Sequence, residues 1–311
     1  MNTTSASPLH VSSTIARSGQ RALVLGGGGS TGNAWLIGVI AGLYDAGLDV
    51  TTADLTVGTS AGATAAAQLA GAPPGELYEA TLVAPPQRQN RPSRSGPGRD
   101  PGTSVADHLD RIRTIIAASE DAADMRRRMG SSALAMAADS DGSWQTMWRA
   151  TVASRLPSQD WPERSVLITA VDARTGDPAA FDRHSGVDLA DAVAASCSSG
   201  QPFMIGDNAY IDGGYRSNAE NADLATGHER VLVLAPLGGR SLVPERWGTH
   251  LSAQVEALRS SGSRVETVFP EDDAGHLFGA NAMDVSLRPP AARAGHDQGR
   301  ALAQRLSELW R

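Results

Sequence analysis

The chain has 311 residues, 41% of them hydrophobic and 20% charged, so it can bury a sizeable core and is not a disordered protein. Its net charge of −7 gives no electrostatic basis for binding nucleic acid, and no apolar run is long enough to span a membrane. The chain has no lysine and one cysteine, Cys197, which excludes a lysine Schiff base and an internal disulfide.

The N-terminal residues 1–20 have the composition of a flexible tail. They are rich in serine and threonine and lack the order of basic, apolar and small residues that marks a signal peptide. We therefore expect a cytoplasmic protein with one folded domain over residues 21–311. Peripheral contact with a membrane is compatible with this expectation.

Two strand–loop–helix units follow the tail. Residues 21–25 are an apolar run that ends in four glycines, and apolar residues then recur at helical spacing up to Gly47. Residues 54–57 repeat the plan, because a short strand leads into the G-T-S-A-G sequence of residues 58–62 and an alanine-rich helix. Two consecutive units of this kind predict a mainly parallel sheet with helices on its faces.

The middle of the chain divides into a loop and a helical insertion. Residues 85–104 are rich in Pro, Arg, Ser and Gly, which predicts a mobile surface loop. Residues 105–156 predict helices and contain four of the seven methionines. This insertion either fills a small core of its own or forms a lid-like apolar surface that adapts to lipid. Its arginine run, residues 126–128, is typical of a solvated helix face.

The rest of the chain alternates strands and helices and completes an α/β fold. The predicted strands lie near residues 165–171, 179–181, 209–211, 231–235 and 265–269, and the predicted helices near residues 189–195, 245–259 and 291–309.

Ser60 is the candidate nucleophile, because residues 58–62 match the G-x-S-x-G pattern of a nucleophile elbow. In such an elbow the serine occupies a strained strand-to-helix turn. Gly58 and Gly62 then allow the backbone to turn sharply and the next helix to pack closely.

The glycine loop of residues 26–32 has two interpretations. Its G-x-G-x-x-G pattern is typical of a loop that binds a dinucleotide, but that motif also needs an acidic residue about 20 positions later, where this chain leads to Ser60 instead. The amides of Gly27, Gly28 and Gly29 would equally form an oxyanion hole beside a serine nucleophile, which is the interpretation we favour. The glycines of the pattern are Gly27, Gly29 and Gly32.

Three residues are candidates for the base that activates Ser60. His276 and His296 follow the serine, as a Ser-His-Asp esterase requires, although the elbow lies too early for the usual strand order. Asp212 is the better candidate, because it ends a predicted strand and two glycines follow it; an Asp-Gly pair is equally common in an ordinary turn. The seven histidines have no metal-ligand spacing, so we expect neither a metal ion nor a cofactor.

The sequence resembles the patatin-like phospholipase family over residues 21–225. Three blocks carry the resemblance in the family's order: the glycine loop, the elbow, and Asp212 with Gly213 and Gly214. The resemblance implies a three-layer α/β/α sandwich. It also implies hydrolysis of lipid or phospholipid acyl esters by a Ser/Asp dyad without histidine, carried here by Ser60 and Asp212.

Two positions depart from the family's pattern. Thr31 stands where the family usually has Arg or Lys, and a proline expected near residues 219–220 is missing. The first departure leaves the glycine loop to stabilise an oxyanion with amides alone, or with an arginine from elsewhere in the chain. A catalytically silent lipid-binding relative is therefore a further alternative.

Overall fold

The structure, a computed structural model, describes residues 17–83, 105–138, 140 and 142–311. The predicted loop of residues 85–104 and most of the predicted tail lie outside the described residues. The first strand begins at Arg17, whose backbone pairs in register with His228, so the strand includes the last four residues of the predicted tail. Pairing there uses backbone groups, which need no apolar side chains, and the composition therefore gave no strand signal.

The strands of the described chain form one mixed sheet. Their bounds are β1 (Arg17–Leu25), β2 (Leu55–Gly58), β3 (Ser165–Asp172), β4 (Pro178–Phe181), β5 (Phe203–Ile205), β6 (Asn208–Asp212), β7 (His228–Leu234) and β8 (Arg264–Val268). The order is β5-β6-β3-β2-β1-β7-β8, with β4 paired to β3. Neighbouring strands pair parallel along β3-β2-β1-β7-β8, as predicted. The other three strands, β4, β5 and β6, pair antiparallel with their neighbours.

Helices cover both faces of this sheet. Their bounds are α1 (Gly29–Asp45), α2 (Ala61–Gly71), α3 (Pro74–Leu82), α4 (Val105–Ala117), α5 (Ala122–Ala137), α6 (Ser143–Ala153), α7 (Leu189–Ser196), α8 (Leu251–Ser260) and α9 (Arg288–Trp310). None of these described helices is long and apolar enough to cross a membrane. The sequence did not predict α3 or β5, and it merged a short 3-10 turn, Glu245–Trp247, with α8.

The side chains of β1 explain the three layers. Leu23 and Leu25 pack in a core with α1, α2, α7 and α9, whereas Ala22 and Val24 pack in a second core with α8. Successive side chains of a strand point to opposite faces, so a continuous apolar strand is stable only where both faces are covered. The α/β/α sandwich is therefore confirmed.

The helical insertion is confirmed as helices α4, α5 and α6, but it does not fill a core of its own. Met125 and Met129 of α5 pack against Val171 and Ile211 of the sheet. The expected solvated arginine run is correct only in part, because Arg126 donates hydrogen bonds to the backbone oxygens of residues 176 and 216. The insertion is thus packed on the main sheet.

Candidate active site

Ser60 occupies a strained turn between β2 and α2. Its φ of 52° and ψ of −112° lie in a region of backbone conformation that residues other than glycine rarely adopt. The neighbouring glycines are required sterically: a Cβ on Gly62 would lie 1.9 Å from the Leu25 oxygen, and one on Gly58 would lie 2.7 Å from Ala63 Cα. A serine in a strained turn between a strand and a helix, with a glycine on either side, is the arrangement that the G-x-S-x-G sequence predicts.

Asp212 lies beside this serine. The Ser60 hydroxyl donates a hydrogen bond of 3.0 Å to Asp212 Oδ2, and the Gly214 amide donates one of 2.8 Å to Oδ1. The residue that follows Asp212 at the end of β6 must be glycine, because a Cβ on Gly213 would lie 2.1 Å from Thr169 Oγ1. Each oxygen of the carboxylate is therefore held by a donor.

Burial changes the acidity of this carboxyl. Desolvation raises the pKa of Asp212 to about 6, against the opposing effect of the hydrogen bonds from Gly214 and Ser60, which favour the carboxylate. An ordinary aspartate is a weak base at neutral pH. A carboxylate with a pKa near 6 is a stronger base and is still mostly ionised at pH 7.

Hydrogen bonds with Ser196 and Cys197 hold the backbone of Ser60 in place. The Ser60 amide donates to Ser196 Oγ at 2.9 Å, and the Cys197 thiol donates to the Ser60 oxygen at 3.1 Å. Burial raises the pKa of Cys197 to about 12, so its thiol stays protonated and is a hydrogen-bond donor.

Asn221 connects the elbow to the loop that follows Asp212. Its Nδ2 donates to Thr59 Oγ1 at 3.0 Å and to the Gly213 oxygen at 2.9 Å, and its backbone φ is 56°. Sequence reasoning missed this residue. No local pattern marks it, because its partners come from segments distant in the chain.

The glycine loop between β1 and α1 lies next to the serine. The Gly27 amide donates to the Ala219 oxygen at 2.8 Å, so it is already engaged, and its role as an oxyanion donor stays a prediction. Within the described chain the amides of Gly28 and Gly29 make no hydrogen bond. A Cβ on Gly27 would lie 3.6 Å from Ser60 Cβ, which places the loop against Ser60.

An arginine from the far end of the chain reaches this loop. Thr31 is fully buried and supplies no charge. Arg288, the first residue of α9, donates through one terminal nitrogen to the Ser30 oxygen at 2.8 Å, and through the other to Asn33 Oδ1 at 3.1 Å. The positive charge missing at position 31 is thus present beside the loop.

Neither histidine alternative contacts Ser60. His276 is exposed and its Nδ1 contacts the Asp273 oxygen at 2.9 Å. His296 contacts Asp45 Oδ2 at 2.9 Å and stacks on Tyr78. Among the described residues no group of three or more His, Cys, Asp or Glu side chains could hold a metal ion.

Ser60 and Asp212 open into a cleft of about 2040 Å³. Apolar side chains line much of it and come from α4, α5, the end of α3, the loop after β7 and the segment before α9. Several of these lining side chains are exposed to solvent. These exposed residues are Val83, Met136, Leu242, Met283 and Val285.

Comparisons with known proteins give one family and two similar solved structures. A model of the patatin-like phospholipase family matches residues 23–223, a range that contains the glycine loop, the elbow and Asp212. Among solved structures, the chain is similar to VipD from Legionella pneumophila, with 12% identity over 93% of this chain and 68% of VipD and a TM-score of 0.44. It is also similar to the type III effector protein ExoU, with 14% identity over 92% of this chain and 54% of ExoU and a TM-score of 0.33. No curated protein sequence gives a significant match.

The family match covers well over half of the chain and includes every block that carries the resemblance in the sequence. The chain belongs to the patatin-like phospholipase family, a family of lipid acyl hydrolases.

Proposed function

We propose that this protein hydrolyses carboxylic esters of phospholipids or related lipids, with Ser60 as nucleophile and Asp212 as general base. The observation that carries the proposal is the 3.0 Å hydrogen bond from Ser60 Oγ to Asp212 Oδ2 at a strained elbow. Family membership supports the reaction class, and this hydrogen bond supports the assignment of the two residues.

In the first half of the reaction, Asp212 accepts the Ser60 proton while Oγ attacks the ester carbonyl. The amides of Gly28 and Gly29 stabilise the oxyanion of the tetrahedral intermediate. The intermediate collapses to an acyl-serine, and the departing alcohol takes the proton from Asp212.

In the second half, Asp212 takes a proton from a water molecule that attacks the acyl-serine. The second tetrahedral intermediate releases the fatty acid, and the proton returns to Ser60 Oγ. One carboxylate is sufficient for both halves, because it alternates between base and acid.

The cleft fits a substrate with an acyl chain. Its walls carry apolar side chains, and its rim exposes Met283 and Val285, which are 61% and 52% exposed. Exposed apolar side chains around a site are typical of surfaces that contact lipid or another protein. We therefore propose transient peripheral contact with lipid surfaces, from which an acyl chain enters the cleft.

A fluorophosphonate probe, which reacts with activated serines, tests the two assignments. We expect labelling of the wild-type protein and hydrolysis of a p-nitrophenyl acyl ester, loss of both in Ser60→Ala, and at least a hundredfold loss of hydrolysis in Asp212→Asn. The matched controls are His276→Ala and His296→Ala, which we expect to retain both. Labelling that persists in Ser60→Ala, or hydrolysis that depends on either histidine, would overturn the proposal.

A further inference from the structure

The cleft has a charge opposite to that of the whole chain. The chain carries a net charge of −7, yet Asp212 is the only carboxylate among the described residues that line the cleft. A cleft lined by charges of one sign concentrates ligands of the other sign. The lining arginines are Arg111, Arg113, Arg155, Arg240 and Arg288.

Two of these arginines, Arg155 and Arg288, lie near one another without a carboxylate partner. In the part of the chain that the structure describes, neither forms an ion pair, whereas Arg113 in the same cleft pairs with Asp110 at 2.8 Å. Burial and the charge of Arg155 both lower the pKa of Arg288. Like charges held together are costly unless an anion compensates them.

Neutral groups contact both arginines. Arg288 donates to Asn33 Oδ1, Asn33 Nδ2 donates to Gln68 Oε1 at 2.9 Å, and Gln68 Nε2 donates to the Arg155 oxygen at 3.2 Å. The Arg155 guanidinium carbon lies 5.6 Å from the centre of the Trp148 ring. The amides thus orient the Arg288 guanidinium and hold the backbone of Arg155, while the Trp148 ring contacts the Arg155 guanidinium. None of these neutral groups compensates the two positive charges.

Both arginines line the cleft that contains Ser60. Arg288 binds the oxygen of Ser30, the residue that follows the two free amides of the glycine loop. The charge of Arg155 lowers the pKa of Cys197, an effect smaller than that of burial, and the Cys197 thiol donates to the Ser60 oxygen. Both arginines therefore share the cleft with Ser60, while neither guanidinium forms a hydrogen bond with it in the described chain.

We propose that Arg155 and Arg288 form an anion subsite that binds the phosphate of a phospholipid or lysophospholipid while its ester carbonyl lies at Ser60. The planar fork of arginine matches phosphate oxygens, and the phosphate of such lipids is a few bonds from the nearest ester. This inference rests on the proposed ester hydrolysis at Ser60. It adds that the enzyme favours phosphate-bearing lipids over neutral glycerides.

Two substrates that differ only by a phosphate test this subsite. They are 1-oleoyl-glycerol-3-phosphate and 1-oleoyl-glycerol, presented in the same nonionic detergent micelles. We expect the wild-type enzyme to favour the phosphate lipid in kcat/KM. We expect Arg155→Gln and Arg288→Gln to lower that preference about tenfold or more, mainly through KM, because each loses charge-assisted hydrogen bonds. Arg288→Lys, which keeps the charge but loses the fork, should give an intermediate value.

The matched control is Arg113→Gln, a variant of another cleft arginine whose charge is paired with Asp110. We expect it to keep the wild-type preference. Thermal unfolding and fluorophosphonate labelling of each variant report whether the fold and the nucleophile are intact. An unchanged preference in labelled, folded Arg155→Gln and Arg288→Gln would overturn the subsite. Failure of both substrates, together with absence of labelling in the wild type, would instead overturn the proposed hydrolysis.

Inorganic phosphate distinguishes a lipid headgroup from free phosphate as the natural source of the anion. We expect millimolar phosphate to inhibit hydrolysis of 1-oleoyl-glycerol by the wild-type enzyme, and to do so less in Arg155→Gln. Inhibition by inorganic phosphate at concentrations below the KM of the phosphate lipid would assign the pair to free phosphate and overturn the headgroup proposal.

Discussion

Two buried carboxyls lie against the loops that form the site. Asp212 is 8% exposed and Glu220 is 1% exposed. Asp212 has two hydrogen-bond donors, whereas Glu220 Oε1 has no partner among the described residues. Glu220 lies under the glycine loop, because a Cβ on Gly26 would be 3.1 Å from Glu220 Cγ. The two groups are therefore expected to respond differently to pH.

The pKa of Asp212 predicts the acid limb of the activity profile. Burial raises it to about 6, and only the ionised form can accept the Ser60 proton. We expect kcat/KM for a neutral, water-soluble ester to fall about tenfold per pH unit below that pKa. Circular dichroism at each pH is the control for unfolding. An inflection near pH 4 in the folded enzyme would contradict the role given to burial.

The pKa of Glu220 predicts how stability depends on pH. Burial raises it to about 7, so the folded protein binds this proton more tightly than the unfolded chain does. Stability is then highest below the ordinary glutamate pKa and is lost as the pH rises through about 7. Compared with Glu220→Gln, the wild type should lose about 2 kcal/mol more unfolding free energy between pH 5 and pH 8.

Urea denaturation of both proteins at the two pH values measures this difference. The comparison uses the change with pH in each protein, so any constant cost of the buried amide cancels. Parallel pH dependences in the two proteins would show that the Glu220 carboxyl does not lose its proton in the folded state over this range.

At the scale of elements, the pairing of α1 with α9 positions the loop and its arginine. The helices approach so closely that a Cβ on Gly38 would lie 2.1 Å from the Ala292 oxygen, and one on Gly42 would lie 2.1 Å from the His296 oxygen. The glycine loop leads directly into α1, and Arg288 opens α9. The close contact of these helices therefore brings Arg288 to Ser30.

A methyl group in this interface should separate the helices. We expect Gly38→Ala to lower the unfolding free energy by about 2–4 kcal/mol, because backbone of α9 must move to admit it. Gly75→Ala in α3 is the matched control, since its Cβ would meet no atom within 4 Å. The control should be neutral or slightly stabilising, because alanine favours the helix. Equal stability of the two variants in urea denaturation would contradict the close packing.

At the scale of the whole molecule, the cleft combines an apolar rim with a basic interior. The net charge and the mean hydropathy of the whole chain do not reveal this arrangement, because the first is negative and the second is ordinary. The exposed Met283 and Val285 lie on the rim, in the segment that leads into α9. A lipid surface would contact this rim before an acyl ester reaches Ser60.

The rim predicts a difference between substrates in vesicles and in solution. We expect the double variant Met283→Ser and Val285→Ser to lower the ratio of vesicle to soluble-ester hydrolysis about tenfold, because two exposed side chains lose apolar contact area with lipid. Met147→Ser is the matched control, because Met147 is 59% exposed but lies outside the cleft lining. An unchanged ratio in the double variant would show that the rim does not contact the vesicle.

The sequence by itself determined the turns of the site. A turn that has no space for a Cβ requires glycine, and a glycine is visible in the sequence. The turns at Gly58, Gly62 and Gly213 could therefore be identified from the sequence. The two consecutive strand–loop–helix units likewise predicted the parallel part of the sheet, since a short, continuously apolar strand must be covered on both faces. Strand β5 has only three residues, all apolar, which is too few to show a period. Helix α3 is short and packs only Leu77, Tyr78 and Leu82 against the core, so both elements were missed.

Only the tertiary structure decided which groups meet. It joined Ser60 to Asp212, 152 positions apart, and placed His276 and His296 elsewhere. It also engaged the Gly27 amide with the Ala219 oxygen, and it brought Arg288 to the glycine loop. These contacts depend on how sheet and helices pack, and burial within that packing also raises the pKa of Asp212. Local sequence encodes the strain of a turn, whereas the partner of a side chain and its exposure to water exist only in the folded chain.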